Sequence, residues 1–180
     1  WAAGSNMTTY RAQFGNAVVL NNNKVLIAGG TDFTNIKSSS ELYDPATGTW
    51  ALTTGNMIGM RKQHQLVKLN NGNVIAIGGC SSEASCSTNV LTTVEMFNPN
   101  TNTWTVISGL TTARTAFAAN LLNDGKVLVM GGNTTSGTSL SSAEIFDPNT
   151  LSWRALTANM PNNSTNDGGQ TSIVLPSGKV

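Results

Sequence analysis

The sequence predicts an all-β fold of three repeated four-stranded sheets, with part of a further sheet at each end. Three observations carry this. An apolar run closed by paired glycines occurs three times: KVLIAGG (Lys24 to Gly30), NVIAIGG (Asn73 to Gly79) and KVLVMGG (Lys126 to Gly132). Each is followed by a second matching segment: ELYDPATGTW (Glu41 to Trp50), EMFNPNTNTW (Glu95 to Trp104) and EIFDPNTLSW (Glu144 to Trp153). The two recur together at a period of about 50 residues, the length of one four-stranded repeat unit.

Each unit reads as four strands in order. The first spans roughly residues 14–20, 63–69 and 116–122, ending at Leu20, Leu69 or Leu122. The turns that follow are NNN, NNG and NDG, residues that accept the positive φ of a two-residue hairpin. The second strand is the apolar run ending in Gly29–Gly30, Gly78–Gly79 or Gly131–Gly132. It is apolar on both faces, as a strand between two neighbouring sheets must be. The third strand carries Glu41, Glu95 or Glu144, with an aromatic residue two positions later. An Asp-Pro or Asn-Pro step then turns the chain, because Pro fixes φ and the Asp or Asn side chain bonds the turn backbone. The fourth strand starts at Trp50, Trp104 or Trp153. The units therefore span about 12–54, 61–107 and 114–157, with partial units at 1–6 and 168–180.

The glycine pair, the spaced aromatic and the Trp resemble the kelch repeat. The wording NDGKVLVMGG…SSAEIFDPNTLSW is similar to the repeats of secreted bacterial kelch proteins and of the galactose-oxidase-like propeller domain. The resemblance covers nearly the whole chain and implies a kelch-type β-propeller. It leaves function open, because one fold hosts many functions. Propellers close with about four to eight blades, so three blades and two partial ones make an incomplete ring. Trp1 falls at the Trp position of an earlier blade and Val180 falls inside a later one. The chain is thus expected to be a piece of a longer polypeptide, with the remaining blades supplied by that polypeptide or by another copy of the chain.

Composition excludes several classes. Charged residues are 11% of the 180, against a usual share of about 25%, and the net charge is +1. No basic footprint for nucleic acid exists. No apolar stretch approaches the roughly 20 residues of a membrane-spanning helix. No cofactor is predicted.

Residues repeated in every unit are structural first; residues found in one unit are functional candidates. Glu41, Glu95 and Glu144 recur, and a carboxylate on a half-buried strand needs a partner. Arg61 and Arg114 stand eight residues before Leu69 and Leu122, with Arg11 one residue off that register. Ion pairing of these Glu and Arg residues is expected over separate solvation. Asp167 stands where the trailing copy should have Arg. His64, the single histidine, shares a repeat column with Gly15, Phe117 and Gln170, which favours an inner structural position over a catalytic base or metal ligand. No catalytic or metal-ligating residue is assigned.

Length variation concentrates in the loops 31–40, 80–93, 133–143 and 158–166, all on one face of the predicted blades. Variable loops on a rigid scaffold commonly bind, although solvated connectors are the alternative. Asp32, Phe33, Asn35, Glu83 and Asn89 are the binding-loop candidates. Cys80 and Cys86 share one loop and read either as a small disulfide or as two free thiols. Asn6, Asn133, Asn162 and Asn163 lie in N-x-S/T triplets, glycosylation acceptors in a secretory setting.

The low charge, the Asn/Thr/Ser-rich surface and the possible disulfide point to a non-catalytic extracellular binding or assembly module, secreted or at a cell surface, with a protein or glycan ligand. The alternative is the scaffold of a galactose-oxidase-like copper radical oxidase. That resemblance implies two Tyr and two His around copper, and this chain has only Tyr10, Tyr43 and His64, so such a site would lie outside these residues.

Overall fold

A computed structural model describes residues 5–158, 160 and 172–180. Among these, twelve strands form three four-stranded antiparallel sheets, each running in chain order. Blade one holds β1 (Val18–Val19), β2 (Val25–Ala28), β3 (Ser40–Asp44) and β4 (Thr49–Leu52). Blade two holds β5 (Gln65–Lys68), β6 (Val74–Ile77), β7 (Val94–Asn98) and β8 (Thr103–Ile107). Blade three holds β9 (Ala118–Leu121), β10 (Val127–Met130), β11 (Ala143–Asp147) and β12 (Ser152–Ala155).

The core is where sheets stack face to face. All four residues of β6 are buried, because blade two has a neighbour on each side. Side chains alternate across a strand, so Val74 and Ala76 join Leu20, Leu26 and Ala28 of blade one, while Ile75 and Ile77 join Phe117, Val127 and Val129 of blade three. Each fully buried aliphatic or aromatic side chain contributes about 1.5–3 kcal/mol relative to exposure. The aromatic of the third strand pairs across the ladder with the Trp of the fourth. Tyr43–Trp50, Phe97–Trp104 and Phe146–Trp153 each have ring centroids 5.1 Å apart. The Trp also reaches the preceding blade: Trp104 Nε1 donates to Ser40 Oγ at 2.9 Å and Trp153 Nε1 to the Ser108 carbonyl at 3.0 Å.

The first strands are shorter than the sequence pattern suggested. Residues Gln13, Gln63 and Ala116 each adopt a left-handed φ of 52–53°, which ends the ladder on their side. The backbone before them instead bridges to the loop after the second strand, through Ala12–Thr31, Lys62–Cys80 and Thr115–Asn133. These left-handed residues also link blades: Gln63 N donates to the Gln13 carbonyl at 2.8 Å, and Ala116 N to the Gln63 carbonyl at 3.3 Å.

The register offset of Arg11 has a local cause. Blade one carries one extra residue, Gly15, with φ of 82°. A β-carbon there would stand 2.2 Å from the His64 carbonyl, so only glycine fits between the blades. The residue matching His64 is therefore Phe14 and not Gly15: Gly30 meets Phe14 just as Gly79 meets His64 and Gly132 meets Phe117.

Residues 172–180 begin a further unit against blade three. Their turn closes with Gly178 N donating to the Leu175 carbonyl at 2.8 Å, and Asn123 Nδ2 lies 3.5 Å from the Pro176 carbonyl. They form a turn and no strand. Trp1, Asp167, Gln170 and the 161–171 segment lie outside the described residues, as does most of the predicted partial unit at 1–6.

Candidate functional site

The ladder direction sorts the connections onto two faces. Hairpin turns after first and third strands form a turn face; loops after second and fourth strands form a loop face. The turn face is nearly uniform. Asn21 Nδ2 stands 2.8 Å from where a Gly72 β-carbon would be, and Asn70 Nδ2 stands 3.0 Å from the same point on Gly125, so one contact is repeated from blade to blade. A cavity of about 290 Å³ there is lined by Asn21, Asn22, Asn71, Gly72, Asn73, Pro99 and Asn100.

The recurring charges sit beneath the loop face, sealed from water. Arg11 Nε lies 3.0 Å from Glu41, Arg61 Nη2 2.7 Å from Glu95 and Arg114 Nη2 2.9 Å from Glu144, all fully or almost fully buried and each pair within one blade. Each carboxylate also accepts two backbone N–H groups from the loop before the first strand: Thr8 and Thr9, Ile58 and Gly59, Thr111 and Thr112. Each guanidinium reaches the carbonyl of the first glycine, namely Gly29, Gly78 or Gly131. Burial pushes the Glu41 carboxyl up, but hydrogen bonds from Thr8 and Arg11 outweigh it and hold it below the usual range. These pairs fasten the loop to the sheet; none faces solvent.

His64 is equally enclosed. Its ring lies against Gly29 of blade one, and neither Nδ1 nor Nε2 has a hydrogen-bond partner. Burial, then the nearby Arg61 charge, lower its pKa to about 3, so it is neutral at neutral pH. A sealed, neutral imidazole whose column is Phe in the flanking blades can neither shuttle protons nor hold a metal from this position.

On the loop face, four of the five loop candidates come together. Asp32 accepts N–H bonds from Thr34 at 2.9 Å and Asn35 at 2.7 Å and pairs with Lys37. The Lys37 ammonium, then the Thr34 hydroxyl, hold its carboxyl well below the ordinary range. That turn sets Phe33 at a φ of 68° with its N–H donating to Thr31 Oγ1 at 2.8 Å. The Thr31 hydroxyl in turn donates to Glu83 of blade two, and Glu83 lies 3.4 Å from Lys62 Nζ. Asn35 completes the turn through Thr34 Oγ1 at 3.0 Å. Asn89 takes no part in this network; its carbonyl accepts the Ser81 N–H at 3.0 Å at the neck of the loop. Cys80 and Cys86 are disulfide-bonded and close that loop.

Sequence reasoning passed over three apolar side chains on this face. Tyr10 is 64% exposed, Ile58 74% and Met60 51%, beside Phe33 at 64%. Tyr10 and Phe33 pair at 6.2 Å, tilted by 47°. Their signal was present in the repeat itself. Thr8, Ile58 and Thr111 share one column by their N–H bonds to Glu, and Tyr10, Met60 and Ala113 share the column two further on. The N–H bond to Glu repeats in the first column, while in neither column is the side chain the same in all three blades. In blade three the same loops line an open groove of about 580 Å³ made of Thr111, Thr112, Ala113, Thr134, Thr135 and Ser136.

Of the N-x-S/T triplets, Asn6 is exposed, whereas Asn133 is half-buried and its Oδ1 accepts from Ser139 Oγ at 3.2 Å. Asn162 and Asn163 lie outside the described residues. Among the described residues no three of His, Cys, Asp and Glu converge, and no helix is long and apolar enough to cross a membrane.

Stacked four-stranded antiparallel blades, with regular turns on one face and variable loops on the other, define a β-propeller. The model of the kelch motif matches residues 14–54, 70–111 and 114–160, and the chain belongs to that family. Among solved structures it is similar to one described as the structure of YjhT, with a TM-score of 0.74 and 17% identity over 89% of this chain and 56% of that one. At that identity the likeness speaks for the fold. The chain spans about half the length of that neighbour. No curated protein matches it.

Proposed function

We propose that this chain is part of a non-catalytic kelch propeller that binds a partner on its loop face, in an extracellular or cell-surface setting. The observation that carries the reading is the exposed Tyr10–Phe33 ring pair, with Ile58 and Met60 also more than half exposed in the loop before blade two's first strand. Exposed aromatics and Met on an otherwise weakly charged surface are what binding patches favour. The rigid support fits as well, because buried Arg–Glu pairs hold the loops from below. The loop disulfide favours an oxidising compartment. The remaining blades of the ring are the first expected neighbour, and a protein or glycan is the expected ligand class.

The test is a panel of glycans and extracellular proteins presented to the intact protein. A Tyr10→Ala/Phe33→Ala variant should lose saturable binding, and a turn-face control, Asn22→Ala/Asn71→Ala, should keep it. Equal loss in both variants would remove the loop face as the site. The copper-oxidase reading requires its ligands to come from outside these residues; stoichiometric copper with alcohol-dependent peroxide formation by the intact protein would establish it instead.

A further inference from the structure

We infer that the disulfide-closed loop of blade two is a redox-sensitive brace for the aromatic side chain that blade one presents. The argument follows one chain of contacts across the blade interface. Cys80 is fully buried and bridged on both sides, to Lys62 and to Val90. Beyond it, residues 84, 85 and 87–89 are exposed, and their hydrogen bonds run largely within the loop, between Ser82, Ser85, Ser87 and Thr88. The covalent tie from Cys86 back to Cys80 therefore fastens the outer part of the loop, alongside the Ser81–Asn89 backbone bond at its neck and the Lys62 contacts to Glu83. The loop carries Glu83, which takes the Thr31 hydroxyl of blade one and lies 3.4 Å from Lys62 Nζ.

With its proton committed to Glu83, Thr31 Oγ1 turns a lone pair to the Phe33 N–H, at 2.8 Å. Phe33 holds a φ of 68°, a region a bulky residue leaves unless its surroundings fix it. That conformation places its ring against Tyr10. Release of Glu83 removes the bond that fixes the Thr31 rotamer. Rotation about Cα–Cβ then carries Oγ1 away from the Phe33 N–H, leaving the Asp32 turn alone to hold Phe33 and loosening the aromatic pair.

The switching step is thiol–disulfide exchange with a dithiol reductant. Its thiolate attacks Cys86 Sγ, the more accessible sulfur, and the Cys80 thiolate leaves and takes a proton. The second reductant thiolate then displaces Cys86, which is protonated. Two electrons and two protons end on the protein as two thiols, and the reductant becomes a disulfide. The brace stands on geometry alone; only its consequence for a ligand rests on the loop-face reading.

Amide hydrogen exchange on the intact protein tests it without a ligand. Exchange at Phe33 should rise at least about tenfold on reduction with dithiothreitol, and equally in the oxidised Glu83→Ala variant. Reducing that variant should add little more. Amides of Val74–Ile77 should be unchanged. Faster exchange confined to residues 80–90 would overturn the proposal. If reduction also loosens Val74–Ile77, the oxidised Glu83→Ala protein decides, and wild-type exchange at Phe33 there overturns it. Loss of binding in the aromatic variants with no coupling in exchange would leave the binding face standing and remove the brace.

Discussion

Gly29 and Arg61 meet across the first blade interface with no room for a side chain between them. A β-carbon on Gly29 would stand 2.4 Å from the Arg61 carbonyl oxygen, and the same carbonyl accepts the Gly30 N–H at 2.9 Å. The contact recurs one blade on, where Gly78 faces the Arg114 carbonyl at 2.7 Å and Gly79 N donates to it at 3.0 Å. A β-carbon on the second glycine would meet its own blade: on Gly79 it would face the Lys62 carbonyl at 2.5 Å and on Gly132 the Thr115 carbonyl at 2.5 Å. The paired glycines thus do two jobs, one between blades and one within.

This separates two contributions that glycine substitutions normally mix. Gly29 and Gly48 both hold left-handed φ, 64° and 68°, but nothing lies within 4 Å of a β-carbon on Gly48. Gly48→Ala should lose only the conformational part, about 1–2 kcal/mol. Gly29→Ala must also push the Arg61 backbone away, and should lose about 3 kcal/mol or more. Urea midpoints of the two variants check this. Equal losses would mean that the interface yields freely at Gly29.

The buried pair of Arg61 and Glu95 should be costly to break from one side. Glu95→Gln leaves a guanidinium with no countercharge in a sealed site, at about 3–5 kcal/mol. Arg61 keeps its bonds to the Gly78 and Thr93 carbonyls, 3.0 and 2.9 Å, so the loss should sit at the lower end. The blade-one pair adds a pH dependence. The Glu41 carboxyl is held below its usual value of 4.5, so the unfolded chain binds its proton first as pH falls. Stability from Glu41 is complete above about pH 4.5 and is lost as pH drops through the folded value. Denaturant midpoints between pH 6 and pH 3 should show a shallower acid fall in Glu41→Gln, from a lower starting point.

Much of this fold was legible because the chain repeats. KVLIAGG and ELYDPATGTW declare a strand, a glycine pair, a turn and an aromatic–Trp pair, and all sit where the period puts them. One slip came from counting back from Leu20: a lone extra glycine moved the apparent partner of His64 from Phe14 to Gly15. Period alone does not place an insertion; the blade contact at Gly15 does. The loop face was less legible. Asp32, Phe33 and Asn35 stood out as unrepeated residues, but their link to Glu83 crosses between blades over 52 positions of sequence. Tyr10, Ile58 and Met60 were hidden for the opposite reason. Ile58 occupies a repeated column whose backbone N–H serves the buried Glu, and Tyr10 and Met60 occupy the column two further on, so only their side chains set them apart.

His64 offers the sharpest measure of how far the repeat governs the core. The ring is fully buried with two unpartnered nitrogens. Each buried polar atom without a partner costs about 1–3 kcal/mol, and Phe14 and Phe117 show that the site accepts a benzyl ring. His64→Phe should therefore raise stability at pH 7, by about 1 kcal/mol once the tighter fit against Gly29 is allowed for. The pH dependence follows from linkage. The folded pKa is about 3 and the ordinary value 6.5, so between these the unfolded chain binds a proton that the folded chain refuses. Wild-type stability from this residue is complete above pH 6.5 and declines as pH falls toward 3. The Phe variant has no such proton to bind, so its advantage over wild type should widen on acidification. Urea unfolding at pH 7, 5.5 and 4 reads this directly. A constant difference across that range would mean that His64 is paired or hydrated in solution, and a loss of stability at pH 7 would mean that the imidazole makes a contact a phenyl ring cannot.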